Sequence, residues 1–293
     1  MFEGVFTALV TPFTRDNKVD VKALRALVRF QMENGVAGFV PVGTTGESPT
    51  LNFEEHCEVI KIVVAETGGR LPVIAGTGSN STAEAIELTA FAKEVGATAS
   101  LQVTPYYNRP SDDGLLKHFL TIADAVDLPM IVYNIPGRTG KNIENNVMLE
   151  LAKHKNIIGV KEASGNIPQV MELIHKAPAD FIVLSGDDNL TLPLMALGAK
   201  GVISVASNLI PQKMSQLVKF MLEGKFEEAR KLHYQLLPLF KAIFIETNPI
   251  PIKAALAMQG MIEEVYRLPL CSLKEANRAK LTQVLADLNL GQA

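Results

Sequence analysis

The sequence predicts an α/β protein in which eight parallel strands form a (β/α)₈ barrel, the TIM barrel, with a small C-terminal helical appendage. Three observations predict this fold: short apolar runs recur along the chain, amphipathic stretches separate them, and the strand signal stops near residue 207. Short apolar runs rich in β-branched residues are typical of buried strands. The predicted strands cover residues 5–10, 38–42, 72–76, 99–103, 130–133, 157–160, 181–184 and 201–205.

The stretches between these runs carry the start and stop signals of helices. Asp20 precedes a series of apolar residues at helical spacing and Gly35 follows it, which predicts an N-cap and a helix end. Ser81 and Glu84 have the spacing of a capping box, in which each side chain accepts a hydrogen bond from the main chain of the other residue. Asn52 begins another helical stretch in a similar way.

The alternation of strands and helices predicts parallel pairing through right-handed crossovers. Eight such units in about 205 residues match the number that a closed barrel requires. A doubly wound open sheet is the alternative, but no GxGxxG sequence follows the first strand. Further helices are predicted over residues 214–221, 226–244, 251–258 and 274–288. We therefore expect a barrel over residues 1–224 and a helical region over residues 225–293.

Composition narrows the classes of protein that the chain can belong to. With 47% hydrophobic and 20% charged residues, the 293-residue chain has the composition of a soluble globular protein. A net charge of −3 gives no electrostatic reason to expect nucleic acid or an anionic membrane as a partner. No secretory signal or bilayer-spanning stretch is visible, so we expect a cytoplasmic location. Cys57 and Cys271 lack metal-ligand spacing and the five histidines are scattered, which predicts free buried thiols and neither a metal nor a cofactor.

Lys161 is the first candidate for chemistry because it ends the sixth predicted strand. The active sites of barrel enzymes lie at the carboxyl ends of the strands. Burial disfavours an ammonium and lowers its pKa, and a neutral lysine can form a Schiff base with a carbonyl substrate. The alternative is a lysine that points to solvent or pairs with a carboxylate.

Strand geometry predicts which side chains share the barrel interior with Lys161. Side chains alternate along a strand, so Gly159 and Lys161 share one face and Glu162 lies on the other. Glu162 is then not the ion-pair partner of Lys161, and Gly159 leaves space beneath it. By the same parity, Ile131 and Tyr133 face inward, which places the Tyr133 hydroxyl near the barrel mouth.

Other strand ends are rich in hydroxyls, small residues and charges. In the GTTGES loop, the Thr45 and Gly46 amides could form a carboxylate-binding nest beside the Thr44 hydroxyl, although similar turns often bind no ligand. Arg138 could equally be a surface cation. Further strand-end residues are Tyr106 and Tyr107, whose alternative is an interface patch, and Asp187 and Asp188, which we interpret as a helix cap rather than a metal site.

Five collinear motifs carry a family resemblance: GTTGES, VTPYYNRP, YNIPGRTG, GVKEASGN and LSGDD. The chain resembles the dihydrodipicolinate synthase family of pyruvate-dependent class I aldolases, which also include N-acetylneuraminate lyase. The match runs from residue 10 to residue 253 without gaps in spacing. The resemblance implies a lyase that condenses pyruvate with L-aspartate-4-semialdehyde to give 4-hydroxy-tetrahydrodipicolinate in lysine biosynthesis.

The resemblance also implies roles for individual residues. Lys161 would form the imine with pyruvate, while Thr44, Tyr133 and Tyr107 would form a proton relay. Tyr107 would reach into the active site of a neighbouring subunit of a homotetramer built as a dimer of dimers.

The same resemblance implies the residues that bind the two substrates. Thr45 would hold the pyruvate carboxylate, and Arg138 would bind the carboxylate of the semialdehyde. Gly186 and Ile203 would line the pocket.

Two other functions stay open at this point. A sugar-acid aldolase can share the GTTGE sequence, whereas the neuraminate lyases usually have a serine in that loop and no arginine at the position of Arg138. A non-catalytic carboxylate-binding paralogue would keep the barrel but would not need a lysine nucleophile with a relay.

Feedback inhibition by L-lysine is a further implication of the resemblance. Lysine-inhibited members bind lysine at a dimer interface through residues that match Ser48, His56, Asn80, Glu84 and Tyr106. Pro49 and Phe53 depart from the family pattern, which has an alanine and a histidine at those places.

Overall fold

A computed structural model, which describes residues 2–290, contains one parallel sheet of eight strands in the order β2-β1-β8-β7-β6-β5-β4-β3. The two end strands meet as well, since Phe39 and Val73 form a parallel bridge and the Gly76 amide donates to the Pro41 carbonyl at 3.1 Å. The sheet therefore closes into the predicted barrel. The strands are β1 (Gly4–Ala8), β2 (Gly38–Val40), β3 (Ile74–Gly76), β4 (Ala99–Val103), β5 (Met130–Asn134), β6 (Ile157–Glu162), β7 (Ile182–Ser185) and β8 (Gly201–Ser204).

Helices follow every strand and form the outer layer. They are α1 (Val21–Glu33), α2 (Phe53–Thr67), α3 (Thr82–Glu94), α4 (Asp112–Ala125), α5 (Pro136–Thr139), α6 (Asn145–Leu151), α7 (Ile167–Lys176), α8 (Thr191–Ala196) and α9 (Pro211–Leu222). The appendage adds α10 (Phe226–Ala242), α11 (Ile250–Met258) and α12 (Glu275–Asp287). The predicted helices of the appendage are confirmed, with small differences in their ends.

The helix caps agree with the sequence at two places and differ at a third. The Asp20 side chain accepts from the Ala23 amide at 2.9 Å, and Asn52 forms a complete capping box. At Ser81 only one of the two hydrogen bonds of the predicted capping box exists, from the Glu84 amide to the Ser81 hydroxyl. The Ser81 amide donates to Ser79 instead of to Glu84. The Ser79 hydroxyl donates to the Glu84 carboxylate, and it accepts from the Ser81 amide at 3.1 Å.

Packing buries most of α11, and residues 250–256 are all buried. One charged side chain, Lys253, lies within this apolar helix and is completely buried. Of the two cysteines, Cys57 is buried, whereas Cys271 is exposed, so the prediction of two buried thiols was wrong for the second. No helix within residues 2–290 combines the length and apolar character needed to cross a bilayer. The division of the chain at residue 224 stays a prediction.

Candidate active site

A cleft of about 220 Å³ opens at the carboxyl ends of the strands. Three of the residues predicted to be catalytic or to bind substrate line it: Thr44 from the loop after β2, Tyr133 from the end of β5, and Arg138 from α5. Apolar side chains form part of the same wall. The strand-end location that the barrel predicts for an active site is therefore occupied by a concave, partly polar site.

Lys161 lies near the carboxyl end of β6, next to the cleft-lining Tyr133, although it is not itself among the residues that line the cleft. Its side chain is only 6% exposed, and its Nζ lies 4.1 Å from the centroid of the Tyr133 ring, which belongs to the neighbouring residue in the sheet register. Burial lowers the pKa of Lys161 to about 8, although the negative charges of Asp187 and Asp188 oppose this shift. A substantial fraction of the amine is thus neutral at physiological pH and able to act as a nucleophile.

The two faces of β6 separate Lys161 from Glu162 as the parity argument predicts. The Glu162 carboxylate accepts from the Ser164 amide at 2.7 Å and from the Asn134 side chain at 3.2 Å, not from Lys161. Gly159 does not leave open space, because a Cβ atom there would lie 2.4 Å from the Ile182 carbonyl oxygen. The expectation of a gap beneath Lys161 was wrong: the adjacent strand β7 approaches too closely.

Tyr133 and Thr44 occupy the same wall of the cleft. Burial raises the pKa of the Tyr133 phenol, while Arg138 and the nearby Thr44 side chain act in the opposite direction. The phenol therefore keeps its proton at neutral pH and can donate it. This arrangement brings together Lys161, Tyr133 and Thr44, three of the four residues of the predicted relay.

Among the described residues, the pair of free amides in the GTTGES loop is shifted by one residue from the predicted pair, Thr45 and Gly46. The Gly46 amide donates to the Gly43 carbonyl at 3.1 Å, so it is already engaged in a turn and cannot contribute to a nest. Within residues 2–290, the amides of Thr44 and Thr45 make no hydrogen bond. A carboxylate could therefore be bound by the Thr44 and Thr45 amides rather than by Thr45 and Gly46.

Asn248 joins two predicted substrate-binding residues, and sequence reasoning gave it no role. Its side chain donates to the Thr45 hydroxyl at 2.9 Å, and its carbonyl accepts from Arg138 Nη2 at 3.1 Å. The residue lies in a stretch that takes part in the family resemblance, but a single asparagine between helices gives no sequence signal for such a contact.

Gly186 and Ile203, which were predicted to line the pocket, are not among the residues that line the cleft. A Cβ atom at position 186 would lie 3.2 Å from Lys161 Cε, so this glycine gives the lysine side chain its room. Ile203 is fully buried in β8 and pairs in register with Phe6.

The aspartates after β7 act differently from a cap of their own helical turn. Asp187 makes no capping hydrogen bond, so this part of the interpretation was wrong. Asp188 is buried and accepts from the amides of Val205 and Ala206 at 3.1 and 2.9 Å, in the loop after the neighbouring strand β8. Burial raises the pKa of Asp188 to about 6. Among residues 2–290, no group of three His, Cys, Asp or Glu side chains is arranged to hold a metal ion.

Tyr107 does not reach the cleft of its own chain. Its side chain is 91% exposed, and its backbone adopts the left-handed conformation at φ 71°, which is uncommon for a bulky residue. Tyr106, beside it, is exposed to a smaller extent, at 38%, and lines the cleft. The chain by itself therefore assembles the predicted relay without Tyr107.

A second cavity of about 160 Å³ adjoins the cleft. Four of the five residues predicted to bind lysine line it: Ser48, His56, Glu84 and Tyr106. Asn80, the fifth, donates to the Tyr106 carbonyl at 3.2 Å without lining the cavity. Ser48 and Tyr106 belong to the walls of both cavities.

A buried lysine of lowered pKa beside a tyrosine at the mouth of a barrel is typical of enzymes that bind a carbonyl substrate as a Schiff base. Comparison with known proteins makes this class specific: the chain belongs to the dihydrodipicolinate synthetase family, whose sequence model matches residues 1–288. It is 53% identical over 291 residues to the 4-hydroxy-tetrahydrodipicolinate synthase of Methanocaldococcus jannaschii, covering 99% of this chain and 100% of that one. The dihydrodipicolinate synthase of Aquifex aeolicus superposes with a TM-score of 0.98 at 51% identity, covering 99% of both chains.

Two further solved structures contain ligands. The dihydrodipicolinate synthase of Acinetobacter baumannii, complexed with pyruvate, is 45% identical with a TM-score of 0.97 over 99% of both chains. The enzyme of Cyanidioschyzon merolae, with lysine bound, is 42% identical with a TM-score of 0.96 over 99% of both chains.

Proposed function

We propose that this chain condenses pyruvate with L-aspartate-4-semialdehyde to give 4-hydroxy-tetrahydrodipicolinate, a step of lysine biosynthesis. The observation that carries the proposal is the position of Lys161, whose Nζ is buried 4.1 Å from the ring centroid of Tyr133, a residue that lines the cleft. The curated relatives, matched over their whole length, bear the name of the enzyme for this reaction. Family membership of the entire chain supports the same activity.

The site residues can perform the first half of this reaction. The neutral Lys161 amine attacks the keto carbon of pyruvate, and loss of water gives an imine. The imine withdraws electrons, so a methyl proton of pyruvate can leave and an enamine forms. Tyr133, which keeps its proton because burial raises its pKa, can protonate the oxygen that leaves as water. The Thr44 and Thr45 amides, which are free within residues 2–290, would hold the pyruvate carboxylate.

Arg138 suits the second half of the reaction. It is exposed at the rim of the cleft and is held there by the Asn248 carbonyl, and within residues 2–290 the rest of the guanidinium is free for a ligand. The planar guanidinium matches both oxygens of a carboxylate. The enamine carbon would then attack the aldehyde of a semialdehyde bound at Arg138, forming the new carbon–carbon bond.

Tyr107 would complete the relay of another subunit in a homotetramer built as a dimer of dimers. Two facts support this part of the proposal: the phenol is almost fully exposed, and the backbone of Tyr107 is held in an uncommon conformation that projects it. Strained conformations of this kind cluster at functional positions.

L-Lysine would inhibit this enzyme from the second cavity. Glu84 supplies a carboxylate for an ammonium group, and Ser48, His56 and Tyr106 supply polar atoms around it. A relative of the same fold has been solved with lysine bound. Initial rates measured over increasing L-lysine should fall, and rates that stay flat into the millimolar range would remove this part of the proposal.

Borohydride trapping tests the proposed function directly. Incubation with pyruvate and borohydride should add the reduced pyruvyl group to Lys161, which mass spectrometry of peptides locates, and the untreated enzyme should consume semialdehyde. The Lys161→Ala variant should form no adduct. A binding protein would show no adduct in the unaltered chain, and a sugar-acid aldolase would show the adduct without semialdehyde turnover.

A further inference from the structure

A buried ion pair, which does not line the cleft, connects the GTTGES loop to helix α11. The Lys253 ammonium of α11 donates to the Glu47 carboxylate, and both side chains are completely inaccessible to solvent. The second Glu47 oxygen accepts from the Arg267 amide at 3.3 Å. Charged side chains are very rarely buried to this extent without a specific partner.

Two aromatic rings lie close to the Lys253 ammonium. Its Nζ lies 4.3 Å from the centroid of the Phe13 ring and 5.4 Å from that of Tyr266, an arrangement that favours a cation. The helix around it is otherwise apolar over residues 250–258. The helix therefore directs a single charge toward the loop.

Glu47 is a residue whose backbone conformation needs such support. Its φ is 55°, in the left-handed region, and the turn around it is closed by hydrogen bonds from the amides of Glu47 to Thr44 and of Ser48 to Gly43 at 3.2 and 3.3 Å. These bonds define the course of the loop two residues before Glu47, where the free amides of Thr44 and Thr45 lie. An ion pair that fixes Glu47 thus fixes the loop that carries the carboxylate-binding amides.

We propose that Lys253 is a positioning residue for pyruvate recognition, which through its buried pair with Glu47 holds residues 43–48 in the conformation that presents the Thr44 and Thr45 amides to the substrate carboxylate. The proposal rests on the proposed function of the cleft, and it deepens it by assigning a task to the appendage. Asn248 of the same appendage already contacts the Thr45 hydroxyl at 2.9 Å, so the loop is held at two points from one side.

The test uses two variants that treat the pair differently. Glu47→Gln keeps the shape of the side chain and removes its charge. The double variant Glu47→Gln/Lys253→Met replaces the pair by uncharged groups, and such replacements are often neutral or favourable for stability. For both variants we expect the KM for pyruvate to rise by roughly tenfold or more, since small misplacements of binding groups are costly. The KM for the semialdehyde should stay within about twofold of the unaltered enzyme.

Two further measurements separate positioning from stability. Hydrogen exchange in a peptide spanning residues 43–51 should accelerate in both variants, while exchange in β6 stays unchanged. The control is Arg230→Met, which removes an exposed ion pair of the appendage, with Glu227 of the same helix α10. This control should leave the pyruvate KM within about twofold even if the melting temperature falls.

Each result decides the proposal. A folded variant with an unchanged pyruvate KM would overturn it, and so would a double variant that regains both the stability and the pyruvate KM of the unaltered enzyme. Loss of folding in the isosteric Glu47→Gln would show a folding role only and would also overturn it. If the unaltered enzyme traps no pyruvate with borohydride, the proposed function fails instead.

Discussion

Lys161 is subject to two opposing influences, and their balance determines how fast it can react. Burial lowers its pKa, while the carboxylates of Asp187 and Asp188 raise it, with the result that the pKa is about 8. Only the neutral amine attacks a carbonyl group. The local environment therefore decides what fraction of the enzyme can begin the reaction at a given pH.

The first prediction at the residue scale concerns pH. The initial rate of borohydride-trappable adduct formation should rise about tenfold per pH unit below the pKa of Lys161 and level off above about pH 8. Asp187→Asn removes a charge that favours the ammonium, so it should move the midpoint to lower pH and raise the rate at pH 7. The control is Asp180→Asn, an exposed position before β7, at the opposite end of the barrel. An unchanged midpoint in Asp187→Asn would contradict the prediction.

The second residue-scale prediction separates the two substrates. Arg138→Ala should leave the pyruvate imine forming but raise the KM for the semialdehyde about ten- to a hundredfold, because a charge-assisted hydrogen bond is lost. Arg138 also lowers the pKa of Lys161, so adduct formation should be compared above pH 9, where this influence no longer matters.

Arg138→Lys is the matched control for this substitution. It keeps the charge without the planar fork and should give an intermediate KM. If Arg138→Ala slowed imine formation and semialdehyde use to the same extent, the assignment of Arg138 to the second substrate would be wrong.

At the scale of single elements, α4 contains a buried histidine that should make stability depend on pH. His118 Nδ1 lies 2.9 Å from the Thr82 hydroxyl, whereas its Nε2 is buried without a partner in residues 2–290. Burial lowers the pKa of His118 to about 4 from an ordinary value of 6.5. Because the folded state resists protonation, this residue stabilises the fold fully above pH 6.5, and its contribution is lost as the pH falls toward 4.

The corresponding prediction is that His118 contributes part of the acid sensitivity of the fold. As the pH falls from 7.5 to 5, the lowered pKa of His118 should reduce the free energy of unfolding by about 2 kcal/mol, measured by urea denaturation. His118→Asn should lose less stability over this interval by about that amount. His175→Asn, which removes another histidine, at the end of α7, serves as the control. Equal losses in His118→Asn and the unaltered chain would contradict the prediction.

The strands and helices were predictable because their signals are local. The strands are buried on both faces, and several consist of an almost uninterrupted apolar run, as in β5 and β7. Parity along β6 and β5 was enough to direct Lys161 and Tyr133 inward, since alternation depends on backbone geometry alone.

The loops were predicted less well, because their contacts depend on residues distant in sequence. The hydrogen bond from the Gly46 amide to the Gly43 carbonyl depends on a turn that many sequences could form. The same holds for the main-chain amides that donate to the Asp188 carboxylate. The pairing of Glu47 with Lys253 spans about two hundred residues of sequence. A signal for Lys253 was nevertheless present, because a single charge inside an apolar helix indicates a buried and paired side chain.

At the scale of the whole molecule, the exposed Tyr107 predicts that active sites are shared between subunits. Co-expression of Tyr107→Phe with Lys161→Ala should recover activity, since a mixed dimer contains one site with both Lys161 and Tyr107. Random pairing of equal amounts would restore about a quarter of the sites. The measurement is the semialdehyde turnover of purified mixed oligomers.

A second pair of variants provides the control for this experiment. Thr44 and Lys161 both lie beside Tyr133 of the same chain, so Thr44→Val with Lys161→Ala should not recover activity in any mixed dimer. Equal recovery in both mixtures, or none in the first, would contradict a Tyr107 donated by a neighbour.

Ser48 and Tyr106 form a common partition between the two cavities, and this has a thermodynamic consequence. A molecule held on one side of the partition changes the free energy of occupying the other side, and such an effect is the same in both directions. If the amino acid product of the pathway weakens the capture of the keto acid, the keto acid must expel that product by an equal factor. A high concentration of pyruvate in the cell would then weaken the inhibition by lysine.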